Sequence, residues 1–463
     1  MKMDTISKGL TNICRMVVGA LFVVSGLIKS NDAIGFMYKL EEYFEPGALH
    51  LEYLTPYALE IAVFVCVGEI LLGVAILVGA LPRLVSVLTT AMMLFFTWLT
   101  WYTATCDPYG FKEILGPDGA VMSIANQCVL ECGCFGNAIP LTPIQSFYKD
   151  VILMVFVTPI LIAAFRGKIK LNDKVTSLII YTGALVMTFL FGYLMLDWNF
   201  PTLYLILCLL AAEGIRKRYK AQNLEWIMAV SVLVVISMFQ YTTLSHLPMK
   251  DYRPYAEGES IIENRMSAED LGLQAPVYAT KYTYKNTTTG VDTIILSSDY
   301  LEKKLWNDEG FKANYEVVSY DGAEVLVKEG YEPRILDFQM VDEMGEDLVD
   351  SLLAADGYTF LHISKDLEAS NALGQTAFNA LAQSALDAGH HFYGLTNVGY
   401  DDSETFRHEH QAPYDFLTCD QTELKIVVRS NPGLVLLKEG VVVQKWAWKD
   451  IPDYEDLKDN LIK

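Results

Sequence analysis

The chain has 463 residues, 52% of them hydrophobic and 20% charged, with a formal net charge of −21. So acidic a balance excludes nucleic acid as a partner, because phosphate recognition needs clustered Lys and Arg. The apolar excess excludes an ordinary soluble globule; it sits almost entirely before about residue 245, and the chain beyond that point reads as an acidic soluble protein.

In chain order, hydropathy and length predict membrane helices at residues 10–29, 57–80, 84–104, 148–165, 175–196, 200–215 and 224–244, seven crossings in all. The sixth, residues 200–215, is the shortest, and its loss would move the carboxy-terminal half to the other side. The first follows lysines near the start, as a signal peptide does, but Ser25-Gly26-Leu27-Ile28-Lys29-Ser30-Asn31-Asp32 offers no small-x-small cleavage site. It reads as a retained helix.

Direction follows from the connecting segments. Lys2, Lys8, Arg83, Arg166, Lys168, Lys170, Lys174, Arg216, Lys217, Arg218 and Lys220 fall on one side of this arrangement. Asp32, Glu41, Glu42, Glu45, Glu52, Asp107, Glu113, Asp118 and Glu131 fall on the other. Short cytoplasmic loops carry the excess of Lys and Arg, so the amino terminus is expected inside and everything after His246 outside.

Of eight cysteines, Cys14, Cys66 and Cys208 lie in apolar helices, where a thiol behaves as a small buried hydrophobe. Cys106, Cys128, Cys132 and Cys134 gather in or beside the one outer segment between the third and fourth spans, in the compartment where disulfides persist. Four cysteines allow three pairings, and spacing alone does not choose. A bridge between Cys132 and Cys134 would be strained and therefore suited to exchange, with Cys106 or Cys128 as the stable partners. Two ordinary bridges stapling the loop fit equally well. Zinc held by four thiolates is a third reading, disfavoured in an oxidising space.

Residues 22–36, with Glu69 in the second span, resemble the DoxX family of small four-helix membrane proteins, and Cys132-Gly133-Cys134-Phe135-Gly136 brings the likeness closer to the MauE branch. The resemblance covers about residues 8–166 and implies thiol-redox maturation of envelope proteins. It also suggests a bundle like those of membrane enzymes that pass electrons from a Cys-x-x-Cys to quinone, whereas this chain carries Cys-x-Cys. No cofactor is certain on this reading, and quinone is the one it suggests. Ser245-His246-Leu247-Pro248-Met249-Lys250-Asp251-Tyr252-Arg253-Pro254-Tyr255 and residues 330–338 resemble segments of longer Bacteroidetes proteins that join such a bundle to a soluble tail. That likeness implies a bacterial inner membrane and a periplasmic tail.

The soluble half divides into a β-rich region, 248–330, and an α/β region, 331–463, after a membrane domain of residues 1–247. Val277 to Lys285 alternates apolar with polar residues, Asn286-Thr287-Thr288-Thr289-Gly290 is a turn, and the chain runs back to Ser297. Farther on, Tyr358 to Ile363 reads as a buried strand, Ala377 to Ala388 as a helix and His391 to Thr396 as a strand; Glu439-Gly440 turns a final hairpin. Ser430-Asn431-Pro432-Gly433 and the strands after it resemble the thioredoxin fold, with Pro432 at the place of its cis-proline. Ser364-Lys365-Asp366-Leu367-Glu368-Ala369-Ser370 stands where that fold carries its dithiol, so the tail reads as a docking or structural module. Cys419, alone, reads as an inert buried thiol.

Glu69 is an ionisable group in mid-span, costly unless it faces a partner or cavity, and Arg15 in the first span is the expected partner. A packing ion pair is favoured over proton or substrate handling. His246, Asp251 and Arg253, with Tyr252 and Tyr255, read as an interface anchor, and His408 and His410 as solvated loop residues rather than metal ligands. Three functions follow: thiol–disulfide exchange with an envelope protein, through Cys132 and Cys134 with Cys106 and Cys128 beside them; a non-enzymatic scaffold presenting the tail; and, third, a transporter. Lipid is the surrounding partner in all of them.

Overall fold

The computed structural model describes residues 2–107, 111–115, 121–129, 133, 135–290, 292–370 and 372–462. Its amino-terminal half is a bundle of seven long helices: α1 (Lys2–Asn31), α3 (Ala58–Val78), α4 (Pro82–Thr105), α5 (Pro143–Phe165), α6 (Lys174–Phe191), α7 (Phe200–Arg218) and α8 (Leu224–Ser245), with a shorter α2 (Ala33–Phe44) between the first two. Six of the seven are long and apolar enough to cross a membrane. The exception is α7, whose last turns carry Glu213, Arg216, Lys217 and Arg218.

Local chemistry sets the helix starts. Pro82 opens α4, where its missing N–H costs nothing, and Thr142 with Gln145 forms a capping box around Pro143 at the start of α5. Asp173 caps α6 by accepting from Thr176 N. Helix α3 is apolar on every face and correspondingly central, with Ala62, Cys66, Ile70 and Leu77 fully buried. It approaches α1 through glycine: a Cβ on Gly73 would lie 2.8 Å from the Gly19 carbonyl, and one on Gly26 would lie 2.7 Å from Ile70 Cγ1.

The helices alternate in direction. At one end Arg15 of α1 reaches the carbonyls of Ile76 and Leu77 closing α3, Glu225 at the start of α8 accepts from Leu81 N ahead of α4, and Arg216 late in α7 donates to the Asn172 carbonyl ahead of α6. At the other end Asn31 exchanges hydrogen bonds with Lys250 after α8, Tyr252 donates to the Leu196 carbonyl beyond α6, and Trp198 stacks on Phe200 at the start of α7. Helix α7 therefore threads the bundle antiparallel to α6 and α8, with Tyr204, Leu205, Cys208 and Ala212 buried. This end also carries α2 and the hairpin of β1 (Phe111–Leu115) and β2 (Val121–Ala125).

The soluble half holds two sheets. In the three-stranded one, β3 (Val277–Asn286) lies between β4 (Asp292–Leu296) and β5 (Tyr315–Lys328), all antiparallel. The five-stranded sheet comprises β6 (Tyr358–Ser364), β7 (His391–Thr396), β8 (Phe416–Thr418), β9 (Gly433–Lys438) and β10 (Val441–Ala447), in the order β10-β9-β6-β7-β8. Strands β6, β7 and β8 are parallel to one another, and β9 is antiparallel to both β6 and β10. Every residue of β6 is buried, because both faces of the sheet are covered. Phe360 packs with Phe378 and Leu381 of the helix Ala372–Asp387, whereas Leu361 and Ile363 pack with Leu424 and Val427 of the helix Gln421–Val427. The Asn431–Pro432 peptide leading into β9 is cis.

Two expectations change here. Tyr255 is wholly buried in the core beneath the five-stranded sheet, Ser260 bridges Val441, and Arg253 is 2% exposed, so this stretch is built into the soluble domain and is not an interface anchor. His408 and His410 lie on the helix Tyr400–His410 rather than in a loop, His408 beside Glu404 and His410 against the Phe406 ring.

Gly73→Ala is expected to destabilise the bundle by about 1–3 kcal/mol through overpacking. Gly68→Ala, whose Cβ would meet only the flexible end of Met92 at 3.3 Å, should be neutral or stabilising. Thermal unfolding of both variants in the same detergent checks the contrast.

Candidate functional site

A lysine in the last turn of an apolar helix is stable in a bilayer only if it snorkels or finds a counter-ion. Lys29 of α1 finds Glu69 of α3: its Nζ stands 2.7 and 2.9 Å from the two carboxylate oxygens and 2.8 Å from Ser25 Oγ. Both side chains are almost completely buried, at 4% and 2% exposure. The ammonium also lies 5.8 Å from the ring centroid of Phe36 in α2 and 5.3 Å from that of Phe96 in α4. The expected partner of Glu69, Arg15, is elsewhere. The two cations are 14 positions apart on α1, roughly 21 Å along the helix, and antiparallel packing sets Arg15 against the far end of α3.

Three residues beyond Lys29, Asp32 starts α2 by accepting from Gly35 N at 2.9 Å. The same carboxylate receives Arg429 from the soluble domain, with Nε at 2.8 Å and Nη2 at 3.0 Å. Gly35 makes room for that fork: a Cβ there would lie 2.6 Å from Arg429 Nη2. One turn on, the Tyr38 ring is surrounded by cations, with Lys425 at 4.8 Å and both Lys365 and Arg429 at 5.4 Å from its centroid.

These cations come from one end of the five-stranded sheet, where β6 finishes and β9 begins. Lys365 follows β6, while Lys425 and Arg429 lead into the cis-proline turn, where the Asn431 side chain donates to the Asp366 carbonyl at 2.8 Å. Ser364 to Ser370 contains no cysteine. Behind the edge, Arg253 grips Asp251 with two bonds of 2.8 Å and donates to the Ile426 carbonyl at 2.7 Å, and Lys445 closes a short ion pair with Asp251. Burial alone would raise the Asp32 carboxyl, but Arg429 and Arg253 outweigh it and hold it below the usual carboxylate range. Asp251 is likewise held low by Arg253 and Lys445 against its burial. Burial pushes the Tyr38 phenol up to about 12, and burial, aided by Arg429 and Lys425, lowers Lys365 to about 8.

Cys106 and Cys128 form a disulfide, with Cα atoms 5.7 Å apart, that closes the base of the β1–β2 hairpin. Cys132 and Cys134 lie outside the described residues. Between them Gly133, at φ +67°, sits beside α2, its Cβ position 3.6 Å from both Phe36 Cδ2 and Lys39 Cβ. Phe135 is buried against Val24, Ile28 and Leu196, and its ring lies 5.1 Å from Lys149 Nζ. Helix α2 is thus a shared platform. Phe36 and Lys39 lie against Gly133, Phe36 also covers the Lys29–Glu69 pair, and Asp32 with Tyr38 receives the cis-proline turn. Cys419 is a buried thiol whose burial raises it to about 12, an unreactive state. Sequence reading overlooked Lys29, Asp32, Tyr38, Lys365, Lys425 and Arg429. Lys29 carried the detectable signal, as a second cation in the helix that was paired with Glu69.

Several apolar helices followed by a sheet-containing domain docked on one end define a multi-pass membrane protein. Residues 7–107 match the family model described as methylamine utilisation protein MauE. That stretch spans α1 to α4, and with the further apolar helices it fits a DoxX/MauE-like membrane protein. No curated protein and no solved structure matches the chain.

Glu69→Gln leaves the Lys29 charge buried without a counter-charge and is expected to cost about 3–5 kcal/mol; Lys29→Met with Glu69→Leu should recover most of it, as read by thermal unfolding in detergent. Asp32→Asn is expected to weaken docking of the soluble domain by about 2–3 kcal/mol, seen as faster hydrogen exchange in residues 33–44 and 425–432. Because Asp32 titrates below its free value, its contribution is complete above about pH 4 and is lost as the pH falls through the lowered value. Exchange measured across that range should show the junction loosening only in the more acidic samples.

Proposed function

We propose that this protein carries out thiol–disulfide exchange with an envelope protein on the outer face of a bacterial inner membrane, with Cys132 and Cys134 as the exchanging pair. The supporting observation is the position of Gly133 against α2, the helix that also receives the cis-proline edge of the soluble domain. The strand order and the cis-Pro432 support a thioredoxin-like reading of that domain, which lacks a dithiol of its own. Gly133, the residue between the two cysteines, is brought to the same helix from the membrane side. Cys106 and Cys128, already bonded to each other, brace the loop. The Lys and Arg asymmetry of the connecting segments supports a cytoplasmic amino terminus and a periplasmic tail.

In the exchange, a thiolate of the partner attacks one sulfur of the Cys132–Cys134 disulfide and releases the other as a thiolate. The partner's second thiolate then attacks the mixed disulfide, leaving the partner oxidised and Cys132 and Cys134 reduced, with two electrons transferred. A scaffold reading is favoured by one observation: the cis-proline edge is covered by α2, which makes the soluble domain part of a fixed assembly. A transporter reading would need Arg15 and Glu69, the ionisable pair of the first two spans, to act together, and they are at different heights in the bundle, with Glu69 neutralised by Lys29.

Trapping thiols in intact cells tests the proposal. In Cys134→Ser the Cys132 thiolate is expected to attack the disulfide of the oxidised partner, the reverse of the last step, releasing one partner thiolate and accumulating a mixed disulfide that no Cys134 resolves; the adduct should be absent from the double serine variant, while Cys106 and Cys128 stay oxidised throughout. If no adduct forms and the double variant is indistinguishable from wild type, the exchange reading fails. A partner that co-purifies regardless of Cys132 and Cys134 but is lost on deleting residues 331–463 would establish the scaffold instead.

A further inference from the structure

Two turns into α5, Asp150 is a carboxylate only 2% exposed, facing α4, where its Oδ2 lies 3.0 Å from Thr100 Oγ1. A charge at that depth is costly without a counter-charge, and its neighbour Lys149 supplies one, with Nζ 3.1 Å from Asp150 Oδ1. The same ammonium lies 5.1 Å from the centroid of the Phe135 ring. Moving it off the ring would take the counter-charge from a buried carboxylate, so the cation is held where it is. Lys149 is 30% exposed, which ranks the contact between a surface cation–π pair and a fully desolvated one.

Phe135 is the residue that follows Cys134, and its ring is fixed from two directions. Val24, Ile28 and Leu196 bury it, with the Phe191 ring 5.7 Å away, and this apolar wall sets its depth. Lys149 adds a directional contact, which sets how the ring is turned. On the backbone, Gly136 N donates to the Gly133 carbonyl at 3.4 Å and Ala138 N to the Phe135 carbonyl at 3.1 Å. The sequence neighbours of Cys134 are thus anchored to different elements, Gly133 to α2 and Phe135 to α5.

We propose that Lys149, held by Asp150, acts with Phe135 as a positioning pair that fixes Cys134 for attack on a mixed disulfide at Cys132. The inference rests on the exchange reading above and assigns a role to residues outside the cysteines. A thiolate attacks a disulfide sulfur only from near contact and in line, so the rate follows how closely the attacking residue is held. Oxidised glutathione separates the steps. The Cys132 thiolate attacks one of its sulfurs, releasing one glutathione thiolate and leaving a mixed disulfide. The Cys134 thiolate then attacks the Cys132 sulfur, closing the Cys132–Cys134 bond and releasing the second glutathione thiolate. Capture involves Cys132 alone, and closure needs Cys134 in place.

The full-length protein in detergent, reduced at Cys132 and Cys134, is mixed with oxidised glutathione, acid-quenched over time and mapped by mass spectrometry for both products. Phe135→Leu and Lys149→Gln are each expected to slow closure about fivefold to tenfold, the worth of one such contact, and to leave capture unchanged. Lys149→Arg and Phe135→Tyr, which keep a cation over a ring, should close within about twofold of wild type. The double variant Phe135→Leu with Lys149→Gln should be no slower than either single one, because both remove the same contact. Should Lys149→Gln fail to fold, Phe135→Leu against Phe135→Tyr still decides. Closure at the wild-type rate in Phe135→Leu, multiplying losses in the double variant, or capture slowed as much as closure overturns the positioning role and leaves the exchange reading standing. A wild-type protein that captures no glutathione, or never closes, removes both.

Discussion

The arrangement of the two halves depends on one carboxylate, that of Asp32. It begins α2 by satisfying a backbone donor at the helix start and, through its other interactions, clamps Arg429 of the soluble domain. An N-cap is a local interaction and an Arg–carboxylate fork a long-range one, so a single side chain ties the geometry of a membrane-end helix to the position of a separate fold. Tyr38 extends the clamp by nearly two helical turns beyond Asp32, and Gly35 is small because the guanidinium passes over it. The linker reinforces the arrangement from behind: Asn31 and Lys250 exchange hydrogen bonds, and Arg253, Asp251 and Lys445 form a buried network under the same edge.

Beneath this junction the Lys29–Glu69 pair follows a different logic. Two charges removed from water gain only when geometry and hydrogen bonding are good, and Ser25 with two flanking rings supplies what the carboxylate leaves unmet. Such pairs are costly to break and of small net value to stability, which suits a specifying role. The pair sets the height of α1 against α3, and hence where Asp32 and α2 emerge.

Much of the architecture was legible in the residues. Long uncharged runs identified the membrane helices because a helix must be apolar over its full span, and the buried run of β6 and the turn at Glu439-Gly440 announced the soluble sheet. The helix α7 was harder: its charged last turns blur the apolar signal, and only its antiparallel packing between α6 and α8 makes its course plain. The junction was illegible for a physical reason. Asp32, Tyr38, Lys365, Lys425 and Arg429 are residue types ordinarily found at a surface, and their meaning lies in contacts between segments hundreds of positions apart. Arg253 and Tyr255 misled because a basic and aromatic stretch after a membrane helix has the same composition whether it faces headgroups or a protein core. Glu69 was recognised as needing a partner, yet periodicity alone could not decide between two cations on one helix.

Asp32 and Arg429 are 397 positions apart, so their clamp cannot close until the chain has been synthesised past Arg429. During translation the emerging α2 presents an unneutralised carboxylate and an uncovered aromatic ring, and only a finished, folded tail conceals them. The junction thereby couples the exposure of α2 to the folding of the tail: the helix is covered on this side only once the cis-proline turn has docked.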